Sequence, residues 1–258
     1  MSDQLFMEER RRNILLDLEQ YGRVSVKDLS DKLHVSEVTI RQDLRALAEE
    51  NLLERTHGGA VVPTQRPVSP ELSFDVRLRE NNTSKDRMAK YATRFIASGD
   101  SIALDASTTV FSMLPYIKQL DRLLVVTNSL VIAHELLDNP NIQVMMPGGQ
   151  VRRDSASLVG TPESFPDIHL KAGFISIHGY TDETGFTESS LEEIQMKHAM
   201  LSRCMSKFVL IDERKWGKIA PYTILRPDTT TTIITSKNAP PDIISNLRSK
   251  NIKVEFVE

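Results

Sequence analysis

Val35-Ser36-Glu37-Val38-Thr39-Ile40-Arg41-Gln42-Asp43-Leu44, running on through Arg45 to Leu47, reads as the opening of a helix with two unlike faces. Ser36 is a good N-cap, since its hydroxyl oxygen can accept a hydrogen bond from a first-turn amide. Glu37 places a negative charge where the helix dipole favours one. Ile40, Leu44 and Leu47 fall at i, i+4 and i+7 and form an apolar stripe that must pack against something. Val38, Thr39, Gln42 and Arg45 point away from that stripe, with Arg41 on its flank. A helix that buries one side and shows Thr, Gln and Arg on the other suits a DNA major groove.

The neighbouring sequence supports that reading. Glu8–Glu19 carries Ile14, Leu15 and Leu18 on one narrow face and ends at Tyr21-Gly22-Arg23. Val24-Ser25-Val26 alternates as a very short strand, and Val26–Leu33 forms a second helix with Leu29 and Leu33 inward. His34-Val35 is the turn of a helix-turn-helix. Beyond the second helix, Asn51 to Val62 reads as two short strands around a Gly-Gly turn, the wing of a winged helix. Ser36, Val38, Thr39, Arg41, Gln42 and Arg45 are candidate DNA contacts from the helix, and Arg55, His57 and Gly58 from the wing. Helix-turn-helix spacing alone also fits a small helical subdomain with a hairpin.

Composition sets the frame. The chain has 258 residues, 40% hydrophobic and 26% charged, which is ordinary for a globular protein of two domains. Its net charge is −3, and residues 1–62 hold nine Lys and Arg against twelve Asp and Glu. DNA binding by so acidic a domain requires cations gathered on one face. No apolar run approaches the roughly 20 residues that span a bilayer. The first residues lack the shape of a secretory signal, so a cytoplasmic location is expected. The single Cys204 reads as a small buried hydrophobe in a helix, and no Cys/His cluster has metal spacing, so neither metal nor cofactor is expected.

Pro63, Pro67 and Pro70 mark a linker over residues 63–82, within which Phe74, Val76 and Leu78 alternate as an extended docking segment. Residues 83–258 then alternate helices with continuous apolar strands, the pattern of an α/β domain with a buried, mostly parallel sheet. The helices are expected over Thr83–Ala97, Val110–Ile117, Leu130–Leu137 and Leu191–Met205. Ligands of such sheets bind at the carboxyl ends of strands. Those ends carry Asp105, Ser107-Thr108-Thr109, Thr127-Asn128-Ser129, Gly148-Gly149 with Arg152 nearby, and Gly179. Hydroxyls and amides at helix starts can hold a phosphate, although each is also an ordinary cap. Glu193 with Lys197 and Asp212 with Lys215 fit the same pocket, or are solvated charge.

These residues resemble the DeoR family of bacterial transcriptional regulators. The resemblance rests on Arg10, Ile14, Leu29, Leu33, Val35-Ser36, Thr39-Ile40-Arg41, Asp43-Leu44 and His57-Gly58-Gly59-Ala60 at one end. Further on it rests on Asp105 to Thr109, Thr127 to Ser129, Gly148-Gly149, Gly179, Glu193/Lys197 and Asp212/Lys215/Gly217. It implies a sensor domain similar to ribose-5-phosphate isomerase and CoA-transferase-like folds. It also implies a repressor, usually of a sugar-utilisation operon, that binds double-stranded DNA as a homodimer or homotetramer and is released by a phosphorylated sugar. Gln42, Ser107 and Glu213-Arg214 depart from the family's usual residues at those positions. The alternative is a sugar-phosphate isomerase-like enzyme fused to a DNA-binding domain, with Asp105 or Glu193 as general base.

Overall fold

The structure is a computed structural model that describes residues 7, 9–11, 13–15, 17–18, 22–49, 52–61, 74–79 and 82–258. The chain divides into two compact units, Met1–Pro70 and Glu71–Glu258.

In the first unit the described residues from Met7 to Leu18 are helical, and Ile14, Leu15 and Leu18 are buried. Gly22 has a φ of +70°, and its N–H donates to the Leu18 carbonyl at 2.8 Å. Strand β1 (Arg23–Ser25) leads into helix α1 (Val26–Leu33), whose first turn is capped by the Ser25 hydroxyl. His34 takes the left-handed conformation that turns the chain. Helix α2 (Glu37–Glu49) follows, with Ser36 Oγ accepting from the Thr39 amide at 3.1 Å. Ile40, Leu44 and Leu47 pack against Ile14, Leu18, Leu29 and Leu53. Each such burial is worth about 1.5–3 kcal/mol, so the stripe holds the helix in place.

Strands β2 (Glu54–Thr56) and β3 (Gly59–Val61) form the wing, but the turn falls at His57-Gly58 and Gly59 is already in the strand. The reason is β1, which pairs antiparallel with β3 and sets Gly59 opposite Ser25. A Cβ on Gly59 would lie 1.9 Å from the Val24 carbonyl oxygen, so only glycine fits there.

The second unit is built on a seven-stranded, wholly parallel sheet. Its strands are β4 (Ser101–Leu104), β5 (Leu123–Thr127), β6 (Ile142–Met145), β9 (Leu170–Ser176), β12 (Cys204–Ile211), β14 (Thr231–Ser236) and β15 (Lys253–Val257). They lie in the order β15-β14-β12-β9-β4-β5-β6. Alternate residues face two separate cores, Ala103, Ile175 and Val209 on one side and Leu104, Phe174 and Leu210 on the other. Succession reverses between β4 and β9, which opens a crevice beyond their carboxyl ends.

Several elements differ from the sequence reading. Phe74–Arg79 is a helix, α3, and not an extended segment; Phe74 and Leu78 are also i and i+4, so six residues cannot distinguish the two periods. Phe74 does dock, its ring edge-on to Phe111 with centroids 5.4 Å apart. Helix α4 (Asn82–Ala92) continues as a single 3-10 turn, Thr93–Phe95. The expected helix Val110–Ile117 is two pieces, α5 (Thr108–Phe111) and α6 (Leu114–Ile117). Pro115 has no N–H to donate to the Phe111 carbonyl. Helix α7 (Leu130–Leu136) stands as expected. The helix over Leu191–Met205 stops early, α8 spanning Leu191–Leu201, because Cys204 already pairs with Leu170 as the first residue of β12. Burial against its neighbours pushes the Cys204 thiol up to about 12. Short strands with too few residues for a periodic signal add a hairpin, β7 (Gln150–Arg152) with β8 (Ser157–Val159). They also make a small antiparallel sheet from β10 (Gly179–Thr181), β11 (Gly185–Glu188) and β13 (Tyr222–Leu225). Helix α9 (Pro241–Ser249) precedes the last strand.

Candidate functional site

On the first unit, Ser36, Val38, Arg41, Gln42 and Arg45 are exposed along one side of α2, and Arg55, His57 and Gly58 are exposed on the wing. Thr39 is half-buried and turned to the cap, its hydroxyl 2.8 Å from that of Ser36. The two arginines are each tethered along the helix, Arg41 to Glu37 at 2.6 Å and Arg45 to Glu49 at 3.1 Å. Sequence reasoning missed the role of Asp43. Its carboxylate is 2% exposed and accepts from Arg10 Nε at 2.5 Å and Arg11 Nε at 3.0 Å, which fastens the leading helix to the back of α2.

On the second unit a pocket lies beyond the ends of β4 and β9. Of the residues expected from sequence, Ser107, Thr108, Thr109, Asn128, Glu193, Lys197, Asp212 and Lys215 line it. Ser107 Oγ caps α5 by accepting from the Val110 amide. Asn128 donates through Nδ2 to the Leu158 carbonyl at 3.1 Å, and its buried Oδ1 has no hydrogen-bond partner among the described residues. Asp212 accepts from the Arg214 amide and guanidinium, at 2.9 and 3.1 Å.

Asp105 stands behind the lining and serves as a clamp. Its Oδ1 accepts from the Ser107 amide and hydroxyl at 3.0 and 2.6 Å, while Oδ2 accepts from the Ser176 amide at 3.0 Å. It therefore ties the loop after β4 to the end of β9, across the point where strand succession reverses. Glu193 and Lys197 do not form the one-turn pair that their spacing suggests. Lys197 Nζ reaches Glu188 Oε2 at 2.5 Å, the Ser176 carbonyl at 2.8 Å and Asp105 at 3.3 Å. Glu193 faces Arg152 at 3.2 Å. Burial alone would raise the Glu188 carboxyl, but Lys197 and His178 hold it well below the usual carboxylate range. Burial would likewise lower Lys197, which Glu188, Asp105 and Glu193 keep above its ordinary value.

Lys215 is the counter-example. Its Nζ donates to Ser176 Oγ at 2.8 Å, and burial brings its ammonium down to about 8, because Asp212 and Glu188 offset the loss of water only in part and Lys197 and Arg77 repel it.

The remaining expected residues do not line the pocket. Thr127 is fully buried and accepts from the Ser129 amide, and Ser129 caps α7. Gly148 and Gly149 pack on the loop after β8, where a Cβ on Gly149 would sit 2.3 Å from the Val159 carbonyl oxygen. Arg152 supports Glu193 from behind, and Gly179 lies against the Lys218 carbonyl, 2.2 Å from where its Cβ would be.

The structure adds residues that the strand-end rule passed over. Ser176 ends β9, Ile177 and His178 follow it, and Glu188 ends a strand too short to recognise. Ser155 comes from the turn between β7 and β8, and Arg214, one of the departures from the family's usual residues, from the single 3-10 turn Glu213–Lys215. Arg77 and Lys85 belong to helices that precede the first strand of the sheet, where no strand-end argument looks. Among the described residues no helix is long and apolar enough to cross a membrane.

Comparison with known proteins accords with this geometry. Residues 10–66 match the DeoR-like helix-turn-helix domain, and residues 80–237 match the DeoR C-terminal sensor domain. The HTH-type transcriptional regulator GolR of Listeria innocua is 31% identical over 98% of this chain and 100% of its own length. The glycerol-3-phosphate regulon repressor of Escherichia coli is 26% identical over 96% of this chain and 98% of its own length. Ribose 5-phosphate isomerase A from Methanocaldococcus jannaschii is similar at 14% identity with a TM-score of 0.40, over 53% of this chain and 55% of that one. An exposed helix and wing, joined to an α/β unit with its own pocket, make a DNA-binding transcriptional regulator with a sensor domain. The chain belongs to the DeoR family.

Proposed function

We propose that the chain represses a carbohydrate-utilisation operon in the cytoplasm and leaves its operator when a phosphorylated sugar enters the pocket. In this reading residues 1–62 bind the DNA, the segment that follows them is the link, and the second unit is the sensor. The working form is a homodimer or homotetramer, whose two DNA-binding units meet two half-sites.

The observation that carries the reading is the charge of the pocket. In a chain of net charge −3, five cations line it (Arg77, Lys85, Lys197, Arg214 and Lys215) against three carboxylates (Glu188, Glu193 and Asp212). That balance favours an anion, and the Ser107–Thr109 hydroxyls add uncharged donors. The carboxylates and Asn128 Oδ1 supply acceptors for hydroxyl groups, as a sugar offers. The name of the glycerol-3-phosphate regulon repressor, a relative along nearly its whole length, points the same way. An isomerase reading loses its best base, because Asp105 is already an acceptor for three donors and pairs with Lys197.

The test is a titration. A fluorescent DNA fragment selected by the full-length chain from a random pool is bound, and anisotropy is followed as glycerol 3-phosphate, ribose 5-phosphate and hexose phosphates are added, with the parent sugars as controls. Release by a phosphorylated sugar and not by its parent is expected; no release by any of them overturns the reading.

A further inference from the structure

We propose that Arg77 is an anion-binding residue of the sensor pocket, and that the helix carrying it, α3, passes the occupancy of the pocket to the chain that leads to the DNA-binding unit. The proposal rests on the sugar-phosphate reading and adds the residue and the route.

Position is the first argument. The second unit begins at Glu71, and α3 (Phe74–Arg79) is its first helix. Arg77 and Lys85 of α4 both line the pocket, whereas the rest of the lining comes from loops and elements that follow β4. One wall of the site is thus the stretch of chain nearest in sequence to the DNA-binding unit.

Attachment is the second. Six residues are too few to hold a helix without tertiary contacts. Two contacts tie α3 to the walls of the pocket. Phe74 is buried edge-on against Phe111, which ends α5, and α5 opens with the pocket residues Thr108 and Thr109. Lys85 Nζ donates to the Arg77 carbonyl, linking α4 to α3. A change at either pocket wall therefore reaches α3 through a side chain in contact with it.

Charge is the third. Arg77 and Lys215 both line the pocket, and the Arg77 guanidinium acts on the Lys215 ammonium and helps to lower its proton affinity. An anion between them turns that repulsion into two attractions and adds an anchor for α3. The phosphate, common to every member of the ligand class, is the group this arrangement recognises.

The full-length chain tests this, with inorganic phosphate as the probe for the anion contact and the sugar phosphates above for release. Arg77→Gln is expected to weaken the binding of both by about tenfold or more, since a charge-assisted contact is lost, and Arg77→Lys to recover part of it. Phe74→Ala is expected to bind sugar phosphate within about twofold of wild type yet to release less DNA at saturation, because the pocket is kept and the link is loosened. Should Phe74→Ala fold poorly, hydrogen exchange of the wild-type amides in α3 replaces it; they are expected to slow in excess inorganic phosphate. Unchanged binding by Arg77→Gln overturns the anion contact. Full release by a folded Phe74→Ala, or α3 exchange indifferent to phosphate, overturns the route. A wild-type chain that no sugar phosphate releases, but whose α3 is protected by inorganic phosphate, overturns the sugar-phosphate reading and leaves the Arg77 contact standing.

Discussion

Arg41 is held by Glu37, one turn before it on α2, with Nη2 and Oε2 2.6 Å apart and both side chains about half exposed. An exposed i,i+4 pair contributes only about 0.3–0.5 kcal/mol, so Arg41 can change partner for a phosphate or a guanine at little cost. Arg41→Ala is expected to abolish operator binding in a gel shift while the circular dichroism and melting temperature stay near wild type. Equal affinity for the operator would remove Arg41 from the reading edge.

The acidity of the first unit limits how many phosphates it can neutralise. Arg10 and Arg11 are committed to Asp43, and Lys32 to Asp17 at 2.6 Å. Each phosphate contact adds about −0.9 to the slope of log affinity against log salt, so with three arginines the slope per DNA-binding unit is expected to be shallow, about −3. Anisotropy titrations over a range of salt give the number, and a slope twice as steep would mean cations outside Arg41, Arg45 and Arg55 carry the binding.

Asp43 shows what periodicity can and cannot predict. The stripe Ile40, Leu44 and Leu47 is a repeat, and repeats are legible in a single sequence; so are the strands of the parallel sheet, whose apolar runs are continuous because both faces are covered. Asp43 lies inside that helix and reads as polar surface, yet its partners are 32 and 33 residues away, on another helix. The same limit applies to the pocket. Ser107–Thr109, Asn128 and Lys215 were found because strand ends are where ligands sit. Arg77 and Glu188 were not, because α3 reads equally as strand and β11 is four residues long. Glu193 and Lys197 have the spacing of a pair, but longer-range partners, Arg152 and Glu188, win them.

Removing the Asp43 carboxylate leaves two arginines facing a buried position. Their guanidinium groups keep some access to water, so Asp43→Ala is expected to destabilise the first unit by about 3 kcal/mol, the low end for a broken buried pair. Hydrogen exchange at Ile40 and Leu44 amides measures it within the full-length chain. A loss under about 0.5 kcal/mol, as for surface pairs, would mean the clamp is dispensable.

Glu188 is buried between Lys197 and His178, and its carboxyl is held well below the usual range despite the burial that opposes ionisation. A folded value below the unfolded one, about 4.3, means that its contribution is present above that pH and is lost as pH falls through the folded value. Glu188→Gln is therefore expected to destabilise the second unit by about 3 kcal/mol at neutral pH, with the difference from wild type narrowing in acid. Urea unfolding followed by the fluorescence of Trp216, which lies in this unit, reports it. A difference independent of pH would show that packing, not charge, was lost.

Lys215 carries the last prediction. Burial has brought its ammonium to about 8, so near neutral pH most of the chain holds the charged form and an appreciable fraction does not. An anion beside it stabilises the charged form and raises that value, so binding takes up a fraction of a proton. Affinity for a sugar phosphate is thus greatest below about pH 8 and falls as pH rises through that value, by up to about tenfold per unit until the bound-state value is passed. The phosphate's own ionisation, near pH 6, lies outside this window. Calorimetry at about pH 7 and about pH 9, in buffers of different ionisation heat, gives both the affinities and the proton uptake. Lys215→Met is expected to bind weakly at both pH values and to flatten the dependence. If the wild-type affinity were flat across this window while Lys215→Met still weakened binding, Lys215 would be a contact whose charge the pocket never surrenders.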